Sequence, residues 1–226
     1  MNESMMVEHL FKSYYFGNQE LKILKDISFE VKARQMVSMM GMSGAGKSTL
    51  LHILGTLDQP TSGKILYHGE EIFQKSEKEL AKFRNQRIGF VFQFHHLLPE
   101  FSALENVMMP ALIAGKSVSE AERQAVQLLK EVYLSERLQH RPSELSGGEQ
   151  QRVAIARALV LKPAILLADE LTGNLDSKTA DHVMAVLFEL HEKNQMTTLL
   201  VTHNETLAKK CPIQYVLADG QLRRVS

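Results

Sequence analysis

The stretch Gly41-Met-Ser-Gly-Ala-Gly46-Lys47-Ser48 constrains this chain more than any other. It fits G-x-x-x-x-G-K-[ST] and lies between a short apolar run, MVSMM, and a helically spaced one, KSTLLHIL. Glycines in such a turn let the backbone fold its N–H groups inward around phosphate oxygens. The helix that follows directs its positive end at the same anion. The motif therefore predicts a strand, a loop and a helix in which Gly41, Ser43, Gly44, Ala45, Gly46 and Thr49 border a nucleotide's phosphates. Lys47 would reach the β- and γ-phosphates, and the Ser48 hydroxyl would serve Mg²⁺.

The rest of the pattern suits an α/β layer around that loop. LKILKDISFEV alternates at its end through Ile27, Phe29 and Val31, KILYHG ends in turn chemistry, and IGFVF, ILLAD, TTLLVT and IQYVLA read as further strands. Helical spacing is expected after Gly46 to near Gly55, from Glu77 to Arg84, from Ser177 to Lys193 and from Glu205 to Lys210. Strands alternating with helices in the second half argue for parallel pairing. Between Leu97 and His140 the character changes. Ser102, Ser117 and Ser119 are each followed three residues later by Glu and then by helically spaced apolar residues, which predicts a helical insertion.

Composition narrows the function classes. The 226 residues carry 26 Lys+Arg against 26 Asp+Glu, without the basic excess from which nucleic-acid binders draw most of their affinity. A single cysteine, Cys211, excludes a disulfide-framed scaffold and fits a reducing compartment. The start MNESMMVEHLFKSYY has acidic residues and no unbroken apolar stretch, so no secretory signal is expected. No window approaches the ~18 to 20 apolar residues of a membrane span, and any membrane link is expected to be indirect.

Ligands of open parallel sheets bind beyond the carboxyl ends of the strands. Polar residues that terminate buried strands are therefore informative. IGFVF runs to Gln93, ILLA to Asp169 and Glu170, and TLLVT to His203. Singly each has a bland reading as a terminator, cap or solvated residue. Jointly they supply what phosphoryl transfer to water requires: Asp169 holding Mg²⁺ through its water shell, Glu170 as general base, Gln93 in the Mg²⁺ shell and His203 at the γ-phosphate. A second anion-binding helix start is suggested by Leu145-Ser146-Gly147-Gly148-Glu149. Ser146 and Glu149 form an ordinary capping box there, but paired glycines inside a first turn cost ~1 kcal/mol each relative to Ala, which points to close approach of a ligand.

Together these residues resemble the ATP-binding subunits of ABC transporters over nearly the whole chain. The phosphate loop, Gln93, LSGGE at Leu145 to Glu149, ILLADE at Ile165 to Glu170, Asn174-Leu175-Asp176 and His203 occur in that family's order. The resemblance implies a single ABC ATPase domain over 1–226, with 1–93 and 160–226 as α/β core carrying an antiparallel β part and 94–159 as helical subdomain. It implies ATP and Mg²⁺ as ligands and a head-to-tail homodimer. In that dimer Ser146, Gly147, Gly148 and Glu149 of one subunit close on ATP held by Lys47 of the other. Tyr14 matches the adenine-stacking aromatic, with Tyr15 its rival. Leu171 stands where the family usually has Pro after the catalytic Glu; the change deletes no catalytic side chain, and activity is expected to be retained.

Phe92 to Val107, HRPSELSGGE and ADELTGNLD are most similar to the lipoprotein-releasing subgroup, with macrolide-type exporters and the cell-division-type ABC ATPase sharing parts of the pattern. That likeness implies two integral membrane subunits as partners and a peripheral place on the cytoplasmic face of the bacterial inner membrane. The apolar residues Phe94, Leu97, Leu98, Phe101, Val107, Met108 and Met109 read either as core of the insertion or as the groove for a cytoplasmic helix of the membrane subunit. A P-loop kinase or GTPase would leave LSGGE unexplained, and the guanine-reading Asn-Lys-x-Asp is absent.

Overall fold

Apolar runs that the sequence marks as buried lie side by side in a computed structural model that describes residues 4–226. The acidic start, Met1 to Glu3, lies outside the described residues. In chain order the first half contains β1 (Met5–Phe16), β2 (Gln19–Val31), β3 (Met36–Met40), α1 (Lys47–Leu54), β4 (Ser62–Tyr67), β5 (Glu70–Glu71), α2 (Glu77–Arg87) and β6 (Ile88–Val91). The second half contains α3 (Ala103–Ile113), α4 (Val118–Glu131), α5 (Gly147–Leu159), β7 (Ile165–Asp169), α6 (Ser177–Asn194), β8 (Thr197–Val201), α7 (Glu205–Ala208), β9 (Ile213–Ala218) and β10 (Gln221–Arg224).

Two sheets form. The antiparallel one runs β2-β1-β4-β5, and the six-stranded one runs β10-β9-β3-β8-β7-β6, parallel throughout except for the terminal β9–β10 hairpin. Side chains of the parallel strands alternate between two cores, as the period of a strand requires. Val37, Met39, Ile165, Leu167, Leu199 and Val201 face α1 and the antiparallel sheet. Met36, Leu166, Ala168 and Leu200 face α3 to α6. That second core runs without interruption from the helical insertion into α6 and the sheet, so the insertion shares the core that anchors the strand ends.

Local chemistry explains the boundaries. Ser102 caps α3 through a reciprocal box with Glu105, and Ser117 caps α4 by accepting from the Glu120 amide. The third expected box does not form, because α4 has already started at Val118 and Ser119 lies within it. Helix α2 continues three residues past the expected end at Arg84, and α7 stops at Ala208 rather than Lys210. Gly55 receives the end of α1 as expected.

Candidate functional site

The carboxyl ends of β3, β7 and β8 converge on the phosphate loop. Gly46 caps α1 at φ 99°, and Gly44 has φ 79°, conformations that an L side chain rarely adopts. At Gly41 close approach is the constraint: a Cβ there would stand 2.4 Å from the Leu217 carbonyl oxygen. Lys47 is buried at the base of the loop, where its ammonium donates to the carbonyls of Gly41 (2.9 Å) and Met42 (3.0 Å). A cleft of about 790 Å³ opens over the loop between Leu21 and Ile23 of β2, His203 and the β9–β10 turn at Gly220.

Asp169 ends β7 buried among these elements, and its Oδ1 has no hydrogen-bond partner. Burial pushes its carboxyl up, a hydrogen bond with the Ser48 hydroxyl pulls it down, and the neighbouring Glu170 charge raises it again. An orphaned carboxylate oxygen beside a serine hydroxyl is a donor set suited to a hard divalent cation such as Mg²⁺. Glu170 follows at φ 45°, held by donation of its amide to the Val201 carbonyl (2.9 Å). Its Oε1 lies 3.8 Å from Lys47 Nζ and its Oε2 lies 3.2 Å from His203 Nδ1. Leu171, directly after Glu170, is 2% exposed and belongs to the helical core.

Lys47, Ser48, Asp169, Glu170 and His203 are thus brought together. Gln93 is turned toward the next loop, with its Nε2 3.5 Å from Asn174 Oδ1 and close against Gly173. Ser146 and Glu149 form their reciprocal box, and Glu149 also pairs with Arg137 at 3.1 Å. The Ser146 amide, then the Ser146 hydroxyl and Arg137, hold the Glu149 carboxyl below the usual range against the effect of burial. No hydrogen bond or ion pair among the described residues joins Ser146 to the Lys47 group.

Packing within the chain already accounts for one glycine of the pair. A Cβ on Gly148 would stand 2.3 Å from Thr179 Cγ2, and one on Gly147 would stand 3.3 Å from Leu175 Cδ2. The close approach at Gly148 is therefore made by α6 of the same chain, before any ligand is considered.

Several residues at the site carried no motif signal. Gln151 donates to the Phe92 carbonyl (3.3 Å), and Arg157 donates to the carbonyls of His95 and His96 (2.7 Å each). His95, its imidazole pushed down chiefly by burial, donates from Nε2 to the Gly147 carbonyl at 3.0 Å. The segment after β6 is thereby strapped to the signature helix α5. Of the apolar residues flanking it, Val107 and Met108 are buried, whereas Phe94 is 64% and Leu98 39% exposed. Tyr14 and Tyr15 alternate along β1; Tyr14 donates to Asp58 Oδ2 (2.8 Å), and Tyr15 is the more exposed of the two.

Comparison with known proteins matches residues 24–173 to the family described as ABC transporter. The lipoprotein-releasing system ATP-binding protein LolD of Geobacter metallireducens is 55% identical over 98% of this chain and 99% of that protein. The protein of the same name from Myxococcus xanthus is 50% identical over 96% of this chain and 97% of that protein. Among solved structures, a dimeric ATP-binding cassette in a post-hydrolysis state bound to ADP and Pi superposes with a TM-score of 0.90 at 39% identity, covering 98% of each chain.

Proposed function

The chain belongs to the ABC transporter family, and from that premise we propose that it is the ATP-hydrolysing motor of a transporter that releases lipoproteins from the bacterial inner membrane. The observation that carries the chemistry is Glu170, fixed between Lys47 and His203 beside the orphaned oxygen of Asp169. The cargo class rests on likeness along almost the full chain to proteins named for lipoprotein release.

The residues divide the work as follows. The amides of Ser43 to Thr49 cradle the phosphates, and Lys47 exchanges its bonds to the Gly41 and Met42 carbonyls for β- and γ-phosphate oxygens. Ser48 and Asp169 would hold Mg²⁺, with Gln93 joining once released from Asn174. When bound, that ion supplies positive charge at the β- and γ-phosphate oxygens. Glu170 takes the proton of the attacking water as its oxygen bonds to the γ-phosphorus and the bond to the bridging oxygen breaks. His203, its Nδ1 3.2 Å from Glu170 Oε2, would stand beside the base and contact the γ-phosphate.

Ser146 to Glu149 find no role within one chain's phosphate site, which supports a head-to-tail homodimer in which they close on ATP held by the other subunit. The proposed division keeps 94–159 as a helical subdomain that moves with α5. Its exposed Phe94 and Leu98 would receive a cytoplasmic helix of each of two membrane subunits. Among the described residues no helix is long and apolar enough to cross a membrane. Contact with lipoprotein would therefore be made by those subunits, with this chain at their cytoplasmic side. Capture of the tagged chain from gently solubilised membranes tests the assembly. Two distinct membrane proteins should co-purify with ATPase activity; a single one would favour an exporter or a cell-division-type complex.

A further inference from the structure

Tyr14 is held by two residues that no motif marks. Its phenol donates to Asp58 Oδ2 (2.8 Å), so the ring is tied to the loop that bears Asp58. Asp58 Oδ1 accepts from Lys12 Nζ (2.7 Å) and from the Gln59 amide (2.7 Å). Lys12 is only 8% exposed, donates also to the Gln59 carbonyl (2.7 Å), and places its ammonium 4.7 Å from the centre of the Tyr14 ring. A cation seated over one face of an aromatic ring is attracted to it, and it leaves only the opposite face to a stacking partner. The loop bearing Asp58 is itself pinned to α1, since the amides of Leu57 and Asp58 donate to the His52 carbonyl.

We infer that Lys12 and Asp58 are positioning residues that fix the Tyr14 ring, at a set distance from the phosphate loop and with one face free, as the platform for the adenine base. The inference rests on the reading of Tyr14 as the adenine-stacking residue. Asp58 orients the ring through its hydroxyl. Lys12 neutralises the Asp58 carboxylate so that no unpaired negative charge stands beside a polyphosphate, and it blocks stacking on the wrong face. Tyr15, without such anchors, is not the platform.

The test compares ATP with inorganic triphosphate, which has no base, by titration calorimetry on the intact chain. Asp58→Asn, Lys12→Met and Tyr14→Phe should each weaken ATP about fivefold, the scale of one ordinary hydrogen bond, with triphosphate unchanged. Asp58→Asn combined with Tyr14→Phe should lose no more than either alone, because both remove one interaction. Unchanged ATP affinity in Tyr14→Phe, or equal weakening of triphosphate and ATP, would overturn the inference. Tyr14→Phe sits on a half-exposed strand and keeps the test open if either Lys12 or Asp58 variant fails to fold. Tyr14→Ala separates the premise. If it binds ATP normally, the platform reading itself fails; if it weakens ATP while the other three do not, only the positioning role fails.

Discussion

The imidazole Nδ1 of His203 stands 3.2 Å from Glu170 Oε2, across the ends of two adjacent parallel strands. The pair joins the residue that would take a proton from water to the one proposed to contact the γ-phosphate. Glu170→Gln keeps the shape and removes the base, so steady-state ATP hydrolysis should fall about a hundredfold or more while ATP binding persists. Unchanged turnover in that variant would remove Glu170 from the mechanism.

Asp169 illustrates function set against stability. Burial raises its carboxyl, so the ionised form that a cation requires is disfavoured by the fold and opposes folding at neutral pH. Asp169→Asn should raise Tm by about 2 °C or more in chelator, and should abolish the Mg²⁺ dependence of nucleotide binding. The Tm gain should shrink as pH falls through the raised pKa toward the ordinary value of 3.8. A variant less stable than the native chain at neutral pH would contradict the strain assigned to this carboxylate.

Gly148 separates packing from ligand contact. Gly148→Ala forces its new methyl against Thr179 and should cost about 1–3 kcal/mol in urea unfolding. Adding Thr179→Ser removes Cγ2 and keeps the hydroxyl, so stability should return. If the signature also closes on ATP in a dimer, turnover stays low in the repaired double variant. Full recovery of both would leave Gly148 with a packing role alone.

Phe94 and Leu98 are exposed although they follow a buried strand. Phe94→Asp and Leu98→Asp should leave Tm within about 2 °C, as surface substitutions do, and should prevent co-purification of membrane subunits. A melted variant would return these residues to the core.

Most of the parallel sheet was legible because its strands are short apolar runs, several of them ended by a polar residue, and the loop glycines report their own backbone geometry. Ser119 caps no helix because a capping box is a local pattern, and the chain uses the first one that starts a helix. The packing constraint on Gly148 carries no sequence signal, because Thr179 is thirty-one residues away and only packing brings α6 to α5. Arg157 and Gln151 carry no signature of their own, since their bonds go to backbone carbonyls whose positions depend on the fold. The bond of Gln93 to Asn174 is likewise a product of the fold, since the two lie eighty-one residues apart.

The central claim is that ATP turnover by this chain drives lipoprotein release, and it is tested most directly in vesicles containing the purified complex and a lipidated protein. ATP should release the lipidated protein to a soluble acceptor, and the complex bearing Glu170→Gln should bind ATP and release none. Brisk ATP hydrolysis by the native complex with no release of lipidated protein would contradict the claim, leaving the phosphate chemistry in place and the cargo wrong.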